Sequence, residues 1–488
     1  MLLKRALPLV SLQFQPLGTG RHDCLGRVRL RPPVSERPKD TTMAKPERSS
    51  RPQQQQQTQL QTPRYLALCA RPMEPLVAAE LAALPEVSDI EIGEGVVAFS
   101  GPRAALYRAN LHLRCATRVL QQLTDFACDG GDDLYAAARD LPWEEFVRAN
   151  GTLAVSAHGL GPGIDNSMFA ALRVKDAACD RFRDRYGVRP DVDVNSPQLR
   201  INVQLYQVET GRGTTEARCS LSLDTSDPPL YQRGYRQSAG AAPLKETLAA
   251  ALVAHTGYPQ LRNKAADVAE HAPPGQDSLE LAPADSLPAL VAPARPPAAG
   301  APMFPTVVDL CCGSGTLLVE AGLQALNIAP GIARRFGFMT WRDFDPSLWQ
   351  RLRREAESQR RSTSGPFLYG SDIDSRVLTL ARKNLEAAGL ATHFRLQRTD
   401  LRDAAPPSGP PGIVLCNPPY GERMGAETDL VALYRTLGDT LKRRFAGYTA
   451  YVYTANMALS RQIGLRSSAR HILYNGNLEG RLLRFDLY

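Results

Sequence analysis

The sequence GIVLCNPPYGERMG, residues 412 to 425, places an asparagine and a tyrosine around two prolines at the end of an apolar run. Proline has no N–H for a β-ladder, so a strand that reaches Asn417 should end there. The side-chain oxygen of Asn417 and the backbone carbonyl of Pro418 can both accept hydrogen bonds from one exocyclic NH2 group. Tyr420 offers a face on which a planar base can stack. A turn that merely ends a strand is the simpler interpretation.

A glycine turn lies upstream in VVDLCCGSGTLLVEAG, residues 307 to 322, a pattern of strand, turn and helix. Gly313 and Gly315 permit a tight turn and a close approach of the backbone to a ligand at the helix N-terminus. Asp309, near the end of the strand, suits an ammonium group better than a pyrophosphate. The segment has neither the G-x-G-x-x-G pattern nor the lysine of a Walker loop. An ordinary turn between strand and helix is the alternative.

Two further aspartates follow predicted strands. Asp372, in YGSDIDSRVL, lies between a strand and a helix, where an acid binds a ribose diol, whereas Asp374 suits a helix N-cap. Asp400, in RLQRTDL, can accept an amino hydrogen of an adenine, although an aspartate at a strand end is common by itself. Three carboxylates at successive strand ends, together with the glycine turn, indicate a nucleoside that carries an amino-acid tail. The expected ligand is S-adenosylmethionine.

Alternating strands and helices must position these residues. From residue 307 onward, VVDLCC, FLYGSDID, HFRLQRTD, GIVLCN and TAYVYTAN predict parallel strands, and ARHILYN and RLLRFDLY predict an antiparallel finish. The predicted fold class is therefore α/β, with a doubly wound sheet whose carboxyl edge carries the candidate residues. Residues 64 to 225 also alternate between the two patterns and predict a smaller α/β module. Within them, AALYRANLHLRCATRVLQQL, residues 104 to 123, has helical spacing of apolar residues.

The composition excludes several classes of protein. No apolar run approaches the ~18 residues that a membrane-spanning helix needs, so no membrane association is predicted. The nine cysteines include no C-x-x-C pair and the seven histidines are dispersed, which argues against a disulfide framework or a metal site. The net charge of +8 lies mostly in residues 1–63, which hold eleven Lys/Arg and four Asp/Glu. Any RNA-binding surface of the globular part must therefore be a local patch.

Two segments are predicted to lack a packed core. Residues 1–63, with the tract PQQQQQTQLQTP, read as a disordered basic, glutamine-rich tail. The preferred interpretation is an N-terminal extension before Met43, and it implies a cytoplasmic protein. The alternative is an organellar transit peptide in residues 1–42. The Pro/Ala-rich stretch 262–303 reads as a flexible insertion. The sequence predicts no oligomeric state.

Several motifs together resemble one family of enzymes. RGYRQSAGAAPLKETLAAAL, CCGSGTLLVEA, APGIARRFGFMTW, GSDIDSRVL and NPPYGER are similar to the bacterial 23S ribosomal RNA guanine-N2 methyltransferases, class I enzymes of the NPPY type. The resemblance implies a ferredoxin-like module at 64–105, a THUMP RNA-binding domain at 106–225 and a methyltransferase domain at 226–488. Members of this family often carry a second methyltransferase domain after this one, and the present sequence ends at Tyr488. Only the N2 activity is then implied.

The resemblance also implies roles for individual residues. The methionine part of S-adenosylmethionine would be bound by Asp309, Gly313 and Gly315, the ribose by Asp372 and the adenine by Asp400. The catalytic pocket would consist of Asn417, Pro418 and Tyr420. The stretch that closes over the cofactor would include Arg233, Tyr235, Arg236 and Glu246. The implied reaction is direct transfer to guanine N2 in large-subunit ribosomal RNA or an assembly intermediate, without a metal, on a base that is looped or flipped out.

The sequence also leaves several other functions and candidate RNA-binding surfaces open. A transfer-RNA guanine-N2 methyltransferase shares this architecture, and DNA adenine-N6 and protein glutamine methyltransferases use related pockets. A non-catalytic RNA-binding protein of ribosome assembly is the alternative outside enzymes. Candidate RNA contacts are the basic runs Arg181 to Arg185 and Lys442 to Arg444, for which a solvated helix face is the alternative. Trp143 and Trp341 are expected in the core.

Overall fold

The computed structural model describes residues 27–28, 62–210, 214–236, 244–259, 304–421 and 427–488. The predictions of a disordered tail at 1–63 and of a flexible insertion at 262–303 fall outside the described residues, apart from 27–28 and 62–63. Two β-sheets organise the described part of the chain, and helices pack on both of them.

The N-terminal sheet has nine strands, in the order β3-β4-β2-β5-β9-β8-β6-β7, with β1 paired to β8. Their bounds are β1 Arg27–Val28, β2 Arg64–Cys69, β3 Ser88–Gly93, β4 Val96–Ser100, β5 Ala116–Ala127, β6 Thr152–His158, β7 Asp191–Val192, β8 Leu199–Glu209 and β9 Thr215–Asp224. The long strand β5 pairs antiparallel with β2 on one side and with β9 on the other. The parts of the chain before and after β5 therefore share one continuous sheet.

The C-terminal sheet has seven strands, in the order β12-β11-β10-β13-β14-β16-β15. Their bounds are β10 Val307–Asp309, β11 Leu368–Asp372, β12 Phe394–Arg398, β13 Ile413–Cys416, β14 Thr449–Thr454, β15 Ala469–Asn475 and β16 Leu478–Asp486. The first five are parallel, and β16 pairs antiparallel with β14 and β15. The chain moves outward from β10 to β12 and then crosses to β13 on the other side of β10. Ligands bind at such a switch point, outside the carboxyl ends of the strands.

Helices cover both sheets, and each follows an apolar pattern that the sheets bury. On the N-terminal side they are Glu74–Ala82, Arg103–His112, Gly131–Asp140 and Ser167–Tyr186. On the C-terminal side they are Glu246–His255, Thr316–Ala325, Pro346–Ser358, Ser375–Ala387, Glu427–Arg444 and Met457–Gln462. Trp143 and Trp341 are both buried, which confirms their predicted place in the core.

The helical spacing of apolar residues in 104–123 predicts one helix, and this prediction is wrong for the second half of the segment. The helix ends at His112, and β5 begins at Ala116. The backbone N–H groups of Arg114 and Cys115 donate to the partly buried carboxylate of Glu80 instead of continuing the helical ladder. The apolar spacing of this segment suits either structure, and pairing with two neighbouring strands decides in favour of the strand.

Candidate active site

The glycine turn joins β10 to the helix Thr316–Ala325. Gly313 (φ 50°) and Gly315 (φ 80°) both adopt left-handed conformations that favour glycine. A Cβ on Gly315 would lie 3.2 Å from Cβ of Ala381, whereas a Cβ on Gly313 would meet nothing within 4 Å. Gly315 therefore allows close packing inside the protein, and the open side of Gly313 leaves room for a ligand to approach the backbone.

Two aspartates flank this turn. Asp309 is 1% exposed and accepts a hydrogen bond of 3.2 Å from the N–H of Cys311. The pKa of Asp309 is raised to about 8, chiefly by burial; the hydrogen bond from Cys311 lowers the pKa and the charge of Asp372 raises it. Asp372 accepts from the N–H of Gly313 at 3.0 Å through one oxygen and from the N–H of Asp374 at 3.0 Å through the other. Each of its oxygens keeps a second lone pair for a ligand hydroxyl.

The other two strand-end aspartates are engaged locally. Asp374 accepts from the N–H of Arg376 and is the N-cap of the helix Ser375–Ala387, the simpler of the roles suggested by the sequence. Asp400 caps the short turn Leu401–Asp403 and pairs with the guanidinium of Arg402 at 2.8 Å. Hydrogen bonds from Arg402 lower the pKa of Asp400 to about 2. Both carboxylates therefore carry out a structural task at the edge of the sheet.

The Asn-Pro-Pro-Tyr segment lies one strand away from the glycine turn. The strand β13 ends at Cys416, so the predicted end before Asn417 is confirmed. Since β13 is the parallel neighbour of β10, Asn417 and the turn emerge at the same edge. Oδ1 of Asn417 is buried and has no hydrogen-bond partner among the described residues. The ring of Tyr420 lies perpendicular to that of Tyr453, with centroids 6.4 Å apart.

The predicted closing stretch attaches to the helix that follows the glycine turn. The hydroxyl of Tyr235 donates to the carboxylate of Glu320 at 3.1 Å, and Nε of Arg233 lies 3.4 Å from the same oxygen. Arg236 donates to Glu246 at 2.8 Å and to Oγ1 of Thr316 at 2.9 Å. Burial raises the pKa of Glu246, and the charge of Arg236 lowers it.

Glu320 was missed in the sequence. It is fully buried in the helix Thr316–Ala325 and is the acid on which Arg233 and Tyr235 converge. The only signal was a glutamate inside the apolar run TLLVEAGL, because a buried acid requires a partner. Arg233 also donates to the carbonyl of Leu230 at 3.0 Å and to that of Arg114, ahead of β5. This network ties the two sheets together.

The two basic runs differ in their surroundings. Arg181 and Arg185 both pair with Glu144, and Arg183 pairs with Asp180, so two carboxylates offset most of the charge of the three arginines. The second run, Lys442 to Arg444, is exposed at the end of the helix Glu427–Arg444. Among the described residues, no group of three His, Cys, Asp or Glu is arranged to hold a metal ion. No helix in the described ranges is long and apolar enough to cross a membrane.

The fold and the site define a class of protein. Five parallel strands with an antiparallel β-hairpin at one edge, a glycine turn after the first strand and Asn-Pro-Pro-Tyr after the fourth are the features of a class I methyltransferase. A solved putative methyltransferase in complex with SAH is 25% identical and superposes with a TM-score of 0.66, covering 88% of this chain and 98% of its own. A predicted N6-adenine-specific DNA methylase from Listeria monocytogenes is 27% identical, with a TM-score of 0.67 over 88% and 97% of the two chains.

Family models match in three places: an RlmL ferredoxin-like domain at 64–120, a THUMP domain at 131–211 and an RMKL-like methyltransferase domain at 299–484. A putative RNA methyltransferase of Synechocystis is 37% identical over 426 residues, 87% of this chain and 97% of its own. The chain belongs to this family of THUMP-containing, RMKL-like methyltransferases. The predicted family, fold class and cofactor, S-adenosylmethionine, are thereby confirmed.

Longer relatives share the same domains. The ribosomal RNA large subunit methyltransferase K/L of Syntrophotalea carbinolica is 37% identical over 432 residues, which make up 87% of this chain and 53% of that protein. The corresponding enzyme of Allochromatium vinosum is 38% identical over 429 residues, 51% of its length. The chain thus spans about half the length of these K/L relatives.

Proposed function

We propose that the protein is an RNA methyltransferase that forms N2-methylguanosine in large-subunit ribosomal RNA, by direct transfer from S-adenosylmethionine to the exocyclic amine. The observation that carries this proposal is the buried Oδ1 of Asn417, which has no hydrogen-bond partner in the described part of the chain and lies at the same sheet edge as the glycine turn. Leaving a buried acceptor unsatisfied costs about 1–3 kcal/mol, so the site is built for a ligand that donates. An amino group on a flat ring, stacked on Tyr420, supplies that donor.

The residues around the glycine turn fit the cofactor. The open side of Gly313 accepts the methionine backbone, and the buried carboxylate of Asp309 pairs with its ammonium group. The free lone pairs of Asp372 bind the ribose hydroxyls, and Asp400 lies at the next strand end for the adenine. When bound, S-adenosylmethionine would supply an electrophilic methyl group: as N2 takes it up, its bond to the sulfonium sulfur breaks, S-adenosylhomocysteine leaves and one N2 proton passes to solvent.

The acceptor pocket orients the amine. Asn417 Oδ1 and the carbonyl of Pro418 each accept one N–H of the guanine amino group, which turns the nitrogen lone pair toward the methyl group. Tyr420 holds the plane of the base by stacking. The acceleration comes from proximity and orientation. Because a paired base is out of reach, the guanosine must be extruded from its helix.

The substrate class is inferred from the relatives and the N-terminal sheet. The THUMP match at 131–211 supports RNA, and the name of the K/L relatives supports ribosomal RNA of the large subunit. Transfer RNA is the second candidate substrate, because the sequence leaves a transfer-RNA guanine-N2 methyltransferase as an alternative. The same pocket chemistry accepts an adenine amine, as the name of the Listeria relative illustrates.

The test is methyl transfer from labelled S-adenosylmethionine to unmodified large-subunit ribosomal RNA and, in parallel, to unmodified transfer RNA. Digested nucleosides are then identified by mass spectrometry. We expect N2-methylguanosine in the ribosomal RNA alone; label in transfer RNA alone, or N6-methyladenosine, would contradict the proposal. The variant Asn417→Ala should lose at least about 100-fold in kcat while binding the cofactor normally, whereas Asn477→Ala, at an exposed asparagine, is the matched control.

A further inference from the structure

A cleft of about 620 Å³ opens between residues 228–236 and the loop 333–335. Five cationic side chains and one carboxylate contribute to its lining: Arg233, Arg236, Lys245, Arg334, Arg335 and Glu246. Its described lining includes none of Asp309, Gly313, Gly315, Asp372 and Asp400, whereas Arg233, Arg236 and Glu246 belong to the stretch predicted to close over the cofactor. The cleft is therefore a positively charged opening beside the proposed cofactor site.

Two of these cations are free to bind a ligand. Arg233 is committed to Glu320, and Arg236 is committed to Glu246, so their charges are balanced. Lys245 and Arg335 are exposed and have no carboxylate partner within the described ranges. Nζ of Lys245 lies 5.5 Å from the centre of the Tyr231 ring, which also lines the cleft. An anionic ligand with an organic portion fits this combination.

The walls that carry the free cations are held in place. The buried guanidinium of Arg334 donates to the carbonyls of Pro229 at 2.8 Å and Ser226 at 3.2 Å, which fixes the loop 333–335. Arg236 donates to the carbonyl of Leu244 at 2.8 Å, next to Lys245, and its Nη1 is buried without a partner in the part of the chain that the structure describes. Little ordering cost is left for ligand binding.

The cleft lies between the two functional parts of the chain. One wall, residues 228–232, continues directly from β9 of the N-terminal sheet. The same side of the cleft touches the helix that follows the glycine turn, through the hydrogen bond from Arg236 to Thr316. The cleft thus connects the end of the N-terminal sheet with the helix that follows the glycine turn. Phosphates that flank an extruded base need positioning contacts of this kind.

We propose that this cleft binds a backbone phosphate of the substrate RNA, close to the nucleotide that is methylated, with Lys245 and Arg335 as its cationic ligands. The volume leaves room for the attached ribose beside Tyr231. The inference rests on the proposed function in that it takes RNA as the substrate, and it adds a contact outside the acceptor pocket.

The test compares RNA binding by the wild type, the double variant Lys245→Gln/Arg335→Gln and the matched double variant Lys383→Gln/Arg354→Gln, which removes two exposed cations elsewhere. Unmodified large-subunit ribosomal RNA transcript is the probe, titrated by filter binding at several salt concentrations. Losing the contacts to this one phosphate should lower the slope of log K against log salt by about 0.7–0.9 and weaken binding about 5- to 8-fold at ~0.1 M salt. The charge-conserving variant Lys245→Arg/Arg335→Lys should retain both properties.

Cofactor binding, measured by calorimetry, separates the possible outcomes. A reduced slope with unchanged affinity for S-adenosylmethionine supports the phosphate site. An unchanged slope overturns it, as does a loss of cofactor affinity alone, which would assign the cleft to the cofactor. In a further outcome, the double variant has a smaller salt slope of RNA binding than the wild type, while the wild type transfers no methyl group to RNA. That result would support the phosphate site and contradict the proposed function.

Discussion

The carboxylate of Asp372, at the end of β11, accepts a 3.0 Å hydrogen bond from the backbone N–H of Gly313, in the turn that follows β10. A single side chain thus sets the shape of the neighbouring glycine turn and, in the proposed site, binds the ribose. Both tasks depend on a carboxylate with two accepting oxygens, because the second oxygen receives the N–H of Asp374. The amide of an asparagine has only one accepting oxygen and could carry out only one of these tasks.

The substitution Asp372→Asn should therefore weaken the binding of S-adenosylmethionine by about 10- to 100-fold, as expected for the loss of hydrogen bonds to a charged group. Isothermal titration calorimetry measures this affinity. The control is Asp374→Asn, two residues further on, which only caps a helix. It should leave the affinity unchanged, and equal losses in both variants would contradict the role of Asp372.

Cofactor binding should depend on pH through Asp309. Its folded-state pKa of about 8 lies above the unfolded value, so the empty protein holds this carboxyl group protonated at neutral pH. The group's contribution to stability is therefore complete at low pH and is lost as the pH rises from about 4 to about 8. Pairing with an ammonium group requires the carboxylate, so affinity should rise about tenfold per unit between pH 6 and pH 7.5.

Calorimetry across this range tests the dependence on Asp309. The variant Asp309→Asn should bind the cofactor weakly, with an affinity that changes little with pH. A flat profile in the wild type would show that the carboxyl group of Asp309 does not titrate on binding. Thermal unfolding of the proteins without cofactor gives an independent measurement, because the melting temperature of the wild type should fall relative to that of Asp309→Asn as the pH rises from about 4 to about 8.

Tyr420 should act through its ring rather than its hydroxyl. Stacking of a base on an aromatic ring contributes about 1–3 kcal/mol, so Tyr420→Ala should raise KM for RNA by about 5- to 150-fold. Tyr420→Phe keeps the ring and should retain nearly the full kcat/KM. Steady-state kinetics of methyl transfer gives KM and kcat for both variants. If Tyr420→Phe is as impaired as Tyr420→Ala, the hydroxyl group and not the ring is the important part of Tyr420.

Removing only one member of the buried pair of Arg233 and Glu320 should lower the free energy of unfolding strongly. Both side chains are almost fully buried. Arg233→Met leaves the carboxylate of Glu320 without its cation and should destabilise the protein by about 3–5 kcal/mol. The double variant Arg233→Met/Glu320→Met removes both charges and should recover most of that loss. Urea unfolding followed by circular dichroism measures the free energies, and additive losses would contradict a direct pairing.

The location of the candidate site could be predicted from the sequence because local patterns fix it. Asp309, Asp372 and Asn417 each follow a short apolar strand, and parallel strands bring their carboxyl ends to one edge. The packing of Glu320 could not be predicted, because its partners Arg233 and Tyr235 are more than eighty residues away in sequence. The start of β5 was missed for a related reason. Its pairing partners are distant, and its own apolar spacing suits a helix.

The continuous pairing of β5 with both β2 and β9 has a consequence for how a target nucleotide is chosen. A sheet that pairs on both sides of β5, with one register shift on each side, resists hinge motion, and the hydrogen bond from Arg233 to the carbonyl of Arg114, just ahead of β5, extends that stiffness to the C-terminal sheet. In the proposed function, the N-terminal sheet would then act as a spacer of fixed length. An RNA held on it would present to the pocket only a nucleotide at one set distance along the strand.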